Sequence, residues 1–270
     1  MSIRNYRPRA SNRRGASWRA TIVVVALLLT TIGLEIAYPL THGSTLSDLT
    51  IATVYCAAAA MLLHSYLSYG KLFALIFGAF TLLYGYGIEE LGIRSGWPFG
   101  TYHYDPSLGF AIAGVPLVVP FAWLMMSYPV VIAARKVAQG WIFLYGGLAL
   151  MAWDIFLDPQ MVAAGRWHWK LVGPHSPFAP QIPLSNTAGW LFAGMGLIAL
   201  LNLVLPRERR KYGANSTIPD LFLLWTLCAG VLGNLFFFHR VGLAIFGGLL
   251  FAMILAPYFF ALRFGRPDLD

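Results

Sequence analysis

The sequence predicts an all-α protein, a polytopic integral membrane bundle of about eight transmembrane helices. Three observations predict this fold: 58% of the 270 residues are hydrophobic, only 11% are charged, and the apolar residues fall in runs long enough to cross a bilayer. Because soluble domains carry roughly a quarter charged residues, the composition excludes an ordinary soluble enzyme. Both cysteines, Cys56 and Cys228, lie within apolar runs, which excludes a disulfide-rich secreted scaffold.

Eight stretches of about 20 residues are predicted to span the membrane within a single domain, 19–262. The segment before them, 1–18, is rich in Arg, Ser and Asn and is predicted to be a disordered basic cytoplasmic tail. A cleavable signal peptide fits less well, because the first apolar run has full spanning length and no clear cleavage site. A second cytoplasmic tail is predicted at 263–270. In chain order, the predicted spans are 19–40, 46–69, 72–92, 108–134, 138–158, 187–205, 218–238 and 241–262.

The basic residues between these spans predict the orientation. With the N-terminus in the cytoplasm, fifteen of the 19 Lys and Arg residues fall on the inner side, including the short basic loop 207–211. This asymmetry follows the positive-inside rule and explains the net charge of +8 without a nucleic-acid partner. We therefore predict a multi-pass protein of the cell membrane with both termini cytoplasmic. The four outer basic residues are Arg94, Arg166, Lys170 and Arg240.

Two predicted external loops, 93–107 and 159–186, are dense in aromatic residues, Gly and Pro. One interpretation is an interfacial belt, since Trp and Tyr favour the headgroup level of a bilayer. The other is a lid or binding loop, because a long connection among short ones usually has a function. The sequence leaves both interpretations open.

Acidic residues at the outer ends of the spans are the strongest candidates for chemistry. Glu35, Glu89, Glu90, Asp154 and Asp158 all fall toward the predicted external side, and acids within a membrane usually face a cavity and mark a functional site. Some of them are also consistent with helix ends that water reaches. In particular, Glu90 is spaced to pair with Arg94, four residues later.

Spacing makes the fifth span the better defined half of this candidate site. Asp154 and Asp158 are four residues apart, so both lie on one helix face. Two carboxyl groups in a poorly hydrated site repel each other and hold a proton between them, which provides a general acid beside a general base. A strong, dry acid with aromatic faces around it is what protonation of an unactivated olefin requires.

Other chemistries fit the sequence less well. The six histidines are scattered, whereas a di-iron desaturase needs short-spaced clusters. An intramembrane prenyltransferase is the nearest alternative, but it needs a first Asp-rich cluster that is absent from the inner segments. A proton-coupled transporter stays possible because acids within membranes also form proton relays.

A combination of motifs between about 80 and 205 resembles the CruF-type carotenoid biosynthesis family. The motifs are Glu89 to Gly92, Gly96 to Tyr104, Pro116, Pro120, Trp123, Trp153 to Pro159, Gly165 to Trp167, Pro183 to Asn186, and Gly189 with Trp190. The resemblance implies a carotenoid 1,2-hydratase, which adds water across the terminal double bond of an acyclic end group. Lycopene, γ-carotene and the C50 bisanhydrobacterioruberin are the substrates that it implies, and it implies no cofactor.

Chemistry and position then predict the roles. Asp154 is the predicted proton donor, and Asp158 or Glu90 positions and deprotonates the water, with Glu89 as the fourth candidate catalytic acid. The residues predicted to bind the substrate are the aromatic wall Tyr102, Tyr104, Trp153 and Trp167 and the water-orienting Asn186 and His103.

The predicted partners are a long carotenoid dissolved in the bilayer, the membrane lipids and other enzymes of the carotenoid pathway. No metal or organic cofactor is predicted. A divalent ion would hold the carboxylates ionised and so remove the proton that the olefin needs. Hydration is therefore expected to survive treatment with EDTA.

Overall fold

The computed structural model describes residues 17–206 and 215–264, and eight helices of this part are long and apolar enough to cross a membrane. The predicted fold class, a polytopic helical membrane bundle, is therefore confirmed. The helices are α1 (Trp18–Ala37, extended by a 3-10 turn, Tyr38–Leu40), α2 (Gly43–Tyr69), α3 (Lys71–Ser95), α4 (Val118–Val137), α5 (Ile142–Ala163), α6 (Leu184–Val204), α7 (Thr217–Leu232, extended by a π turn, Gly233–Phe237) and α8 (Val241–Phe264).

The predicted tails lie largely outside the described residues. Trp18 already belongs to α1, and α8 continues to Phe264. Residues 1–16 and 265–270 of the predicted tails lie outside the described part of the chain, and so does the basic loop 207–211.

Two predicted boundaries need correction. Helix α4 begins at Val118 rather than near 108, because Gly109 and Gly114 take positive φ angles there and a small hairpin forms between Ala111–Ile112 and Val115–Pro116. This segment is apolar without being helical. Helix α5 continues through Pro159 to Ala163, since proline within a membrane helix is tolerated where neighbouring groups satisfy the freed backbone atoms.

The long connections after α3 and α5 meet at one end of the bundle, which we call the loop end. There the two connections pair with each other: β1 (Tyr102–Tyr104) is antiparallel to β4 (Trp167–Trp169). A second hairpin forms between β5 (His175–Ser176) and β6 (Ala179–Pro183). The β1–β4 ribbon covers the ends of the helices.

Helix α4 is the most buried helix, and it packs against α2, α3 and α5 at the centre of the bundle. The closest helix pair is α5 and α6, which meet at small residues. A Cβ atom on Gly147 would lie 2.5 Å from the Met195 side chain and 2.7 Å from the Leu191 carbonyl oxygen. Glycine at this position therefore lets the two backbones approach, as is common between membrane helices. The close packing brings the end of α5 near the start of α6.

Candidate active site

A cavity of about 340 Å³ lies at the loop end of the bundle. Helices α1 to α7 all contribute to its wall, and side chains of the β1–β4 ribbon cover it from the loop side. The wall is mainly apolar and aromatic, with a few polar groups directed inward, which is the usual composition of a small-molecule site. Its volume is at the low end of the roughly 300–1,000 Å³ of such sites.

Two buried aspartates of α5 are joined by an asparagine of α6. Asp154 and Asp158 are 2% and 3% exposed and share one face of the helix, as their spacing predicts. Asn186 Nδ2 donates a hydrogen bond to Asp154 Oδ2 at 3.1 Å and another to Asp158 Oδ2. Asn186 is placed there because β6 leads directly into the first turn of α6. We call these three residues the aspartate cluster.

The two aspartates have different access to the cavity. Asp158 and Asn186 line it, whereas Asp154 lies one turn deeper in the helix and is not part of the wall. Asp154 Oδ1 makes no hydrogen bond with the described part of the chain. A buried carboxylate is costly unless it is paired or protonated, and two carboxyl groups on one asparagine satisfy this condition by sharing a proton.

A third buried carboxylate, that of Glu89 on α3, also lines the cavity and is 3% exposed. Its Oε2 accepts hydrogen bonds from the hydroxyls of Tyr102 (2.5 Å) and Tyr104 (2.7 Å), and its Oε1 accepts one from Trp123 Nε1 (2.9 Å). Burial, followed by the negative charge of Glu89, raises the pKa of both tyrosines. The two hydroxyls therefore remain protonated and act as donors, and Glu89 acts as their acceptor.

Indole rings form much of the cavity wall. Trp123 and Trp190 are stacked with their ring centroids 4.3 Å apart, and Trp153 stands perpendicular to Trp190 at 5.6 Å. Trp167 contacts Tyr104 edge-on at 5.6 Å. The predicted aromatic wall, Tyr102, Tyr104, Trp153 and Trp167, thus surrounds one space. Aromatic faces of this kind attract a cation.

Sequence reasoning did not assign a role to Trp123 and Trp190, although both belong to the motifs of the resemblance. For Trp123 a signal was available, because it lies in the middle of the predicted span 108–134, away from the headgroup level where belt tryptophans sit. Trp190 lies near the start of the predicted span 187–205 and carried no such signal.

Besides Asp154, two of the predicted site residues are absent from the cavity wall. Glu90 points away from Glu89 and forms an ion pair with Arg94 (2.7 Å) at the rim of α3, which is the alternative that the sequence left open. His103 is exposed and faces His168 across the ribbon, with ring centroids 5.4 Å apart. The reason is strand geometry, because successive side chains alternate between the two faces, so Tyr102 and Tyr104 face the cavity and His103 does not.

The cavity also contains polar groups to which the sequence assigned no specific role. Glu35 of α1 accepts a hydrogen bond from Trp225 Nε1 of α7, and both side chains line the wall. Asn234 is 1% exposed, and its Oδ1 makes no hydrogen bond within the described residues. A buried amide oxygen of this kind is usually satisfied by water.

Within residues 17–206 and 215–264, no three side chains of His, Cys, Asp or Glu are grouped so as to hold a metal ion. The carboxyl groups at the cavity instead accept hydrogen bonds from Asn186, Tyr102, Tyr104 and Trp123. That the reaction needs no metal or organic cofactor remains a prediction.

The profile of the carotenoid biosynthesis protein family matches residues 49–262, which include all of the cavity wall contributed by α2 to α7. Bisanhydrobacterioruberin hydratase from Haloarcula japonica is 33% identical to this chain over 172 residues, which cover 59% of this chain and 55% of that protein. The match thus spans about half the length of the relative. No solved structure matches the chain.

Proposed function

The chain belongs to the carotenoid biosynthesis protein family, and from this premise we propose that it is a membrane hydro-lyase that adds water across the terminal 1,2 double bond of an acyclic carotenoid end group. The observation that carries the proposal is the aspartate cluster, a proton-holding group buried against an apolar, indole-lined cavity. The hydratase activity of the 33% identical relative supports the same class of reaction.

The position of Asp158 in the cavity wall changes the roles expected from the sequence. We assign proton donation to Asp158, which faces the substrate, and the storage of a proton behind it to Asp154, a positioning residue. Asn186 holds the two carboxyl groups together. Glu89, with three donors directed at it, places negative charge opposite the developing cation.

The reaction then proceeds in two steps. The π electrons of the terminal double bond take the proton of Asp158 and form a C–H bond at C2, because this leaves the positive charge on the tertiary carbon, C1. The indole faces of Trp153 and Trp190 stabilise this cation. A water oxygen bonds to C1, and its surplus proton returns to the Asp158 carboxylate. The net change is one olefin and one water converted to one tertiary alcohol.

Water is expected at the Asn234 side of the cavity, where the amide oxygen is buried and available as an acceptor. An acceptor there orients a water molecule with its oxygen lone pair free to attack. The apolar remainder of the wall keeps other water away from the cation and limits loss of the proton to solvent.

Expression in a lycopene-producing host, with pigment masses determined by mass spectrometry, tests the function. We expect pigments that have gained one or two waters, and unchanged pigment from cells that carry the Asp158→Asn variant. A gain of isoprenyl units would indicate a prenyltransferase instead. Unchanged pigment together with proton-linked transport would indicate a transporter. Either of these results would contradict the hydratase proposal.

A further inference from the structure

Among residues 17–206 and 215–264, the cavity wall reaches the surface of the bundle at one place. Among the residues that line the cavity, three are strongly exposed: Ile36 (54%), Leu232 (49%) and Phe237 (50%). Ile36 lies near the end of α1, and the other two lie at the end of α7 and in the π turn that extends it. The wall residues from α2, α3, α4, α5 and α6 are all buried or half-buried. The cavity therefore opens to the surface of the bundle between α1 and α7.

Small residues of α7 also border the cavity. Ala229, Gly230 and Gly233 all line the cavity, and a Cβ atom on Gly230 would lie 2.7 Å from the Phe156 ring. Helices α1 and α7 are also the least buried helices of the bundle. The two helices that border the opening are therefore the ones with the largest share of residues facing outward.

A hydrogen bond between polar side chains connects α1 and α7 beside the opening. The hydrogen bond from Trp225 to Glu35 joins α7 to α1, about two helical turns before Leu232 along α7. An acidic side chain facing hydrocarbon is costly without a partner, so this bond both satisfies Glu35 and holds the two helices at a fixed separation. The apolar residues Ile36, Leu232 and Phe237 lie between this hydrogen bond and the loop end. We call the region that they border the α1–α7 portal.

We propose that the α1–α7 portal is the site through which an elongated polyene passes from the bilayer, with its end group in the cavity and the rest of its chain against the exposed faces of α1 and α7. This inference rests on the proposed function. A long apolar chain has no favourable route through water, and the β1–β4 ribbon covers the loop side of the cavity. The cavity is also too small to enclose a whole polyene, so most of the chain has to remain at the lipid boundary.

Site-specific photo-crosslinking tests the portal without requiring turnover. A benzophenone amino acid is placed at Ile36 or Leu232 in the full chain, reconstituted in phosphatidylcholine vesicles that contain lycopene. Matched controls carry it at Leu91 on α3 or Ile245 on α8, which are 43% and 57% exposed, near the loop end of their helices, and outside the cavity wall. After illumination, polyene absorbance retained by the denatured, extracted protein is expected to be several-fold higher at the portal positions than at the controls.

Equal retention at Leu91 and Ile245, or no retention at Ile36 and Leu232, would overturn the portal. A bulk variant provides a second measurement: Leu232→Trp is expected to lower the rate of lycopene hydration, and Ile245→Trp to leave it unchanged. Crosslinking reports binding alone, so the two proposals fail separately. Retention at the portal in a protein that hydrates nothing refutes the hydratase, whereas hydration without preferential retention refutes the portal.

Discussion

Two adjacent glutamates at the end of α3 have opposite environments. Glu89 is buried and accepts three hydrogen bonds, whereas Glu90 pairs with Arg94 at the rim. Neighbouring residues on a helix point about 100° apart, so only one of the two can face the cavity. This contrast provides a direct test of the site, because the same chemical change can be made at both positions.

We expect Glu89→Gln to lower hydration by about 100-fold, the size of effect seen when one stabiliser of transition-state charge is removed. The amide would place a donor where three donors already converge. Glu90→Gln is the matched control and is expected to keep nearly full activity, since an exposed ion pair contributes about 0–1 kcal/mol. The measurement is pigment turnover per folded protein; equal losses in the two variants would remove Glu89 from the site.

Asp158→Asn is expected to reduce hydration by at least about 100-fold, the usual effect of losing a general acid. Asparagine keeps the size of the side chain but carries no transferable proton. Asp48→Asn, at an exposed position on α2, is the control for changes in charge and expression. Since the aspartate cluster acts as a unit, the double variant with Asp154→Asn should be little slower than Asp158→Asn alone. Wild-type turnover in a correctly inserted Asp158→Asn protein would refute its assignment as the acid.

At the scale of the elements, the site depends on how closely α5 and α6 pack. Asp154 and Asp158 come from one of these helices and Asn186 from the other, so the aspartate cluster forms only if the two backbones are in contact. Gly147 makes this contact possible. The β1–β4 ribbon has a comparable role on the loop side, where strand alternation turns Tyr102 and Tyr104 toward Glu89.

Gly147→Val is expected to destabilise the protein by about 1–3 kcal/mol, because overpacking forces the backbones apart. The midpoint of thermal unfolding in detergent should fall, and hydration should fall with it as Asn186 moves away from the aspartates. Gly87→Ala on α3 is the control, since a Cβ atom there meets nothing within 4 Å. An unchanged midpoint for Gly147→Val would show that the α5–α6 contact is not tight.

For the whole molecule, the charge asymmetry and the position of the loops make a joint prediction about orientation. Every catalytic group that we propose lies toward the loop end. The described basic residues Arg19, Lys71, Arg135, Lys136 and Arg263 lie at the opposite ends of their helices. From the positive-inside rule we expect the loop end to face the outside of the cell. The substrate end group and the water would meet near the external surface of the membrane.

Cysteine labelling in intact cells tests this orientation. Single cysteines at Phe110 and Val172, which are 72% and 70% exposed on the two loops, should react with a membrane-impermeant maleimide from outside. A cysteine at Gln139, between α4 and α5, should react only after the membrane is opened. The native Cys56 and Cys228 are replaced by serine to remove background labelling. Labelling of Gln139→Cys alone in intact cells would reverse the orientation.

The sequence by itself determined the class of protein, the number of spans and the pairing of Asp154 with Asp158. Hydropathy and helical spacing are local properties, so a run of apolar residues or two acids four residues apart can be interpreted without knowing their neighbours. The motifs between 80 and 205 also indicated the family that the profile match confirms. Local apolar composition misplaced several helix ends, most of all the start of α4 and the end of α5.

The tertiary structure alone decided which side of each helix faces the cavity. A helix that packs against both lipid and other helices is apolar on all sides, so no periodic pattern marks its inward face. For this reason the sequence could not choose between Glu89 and Glu90, place Asp158 in the wall with Asp154 behind it, or join Glu35 to Trp225. Those choices depend on contacts between residues far apart in the chain, which the packing of α1 against α7 and of α5 against α6 brings about.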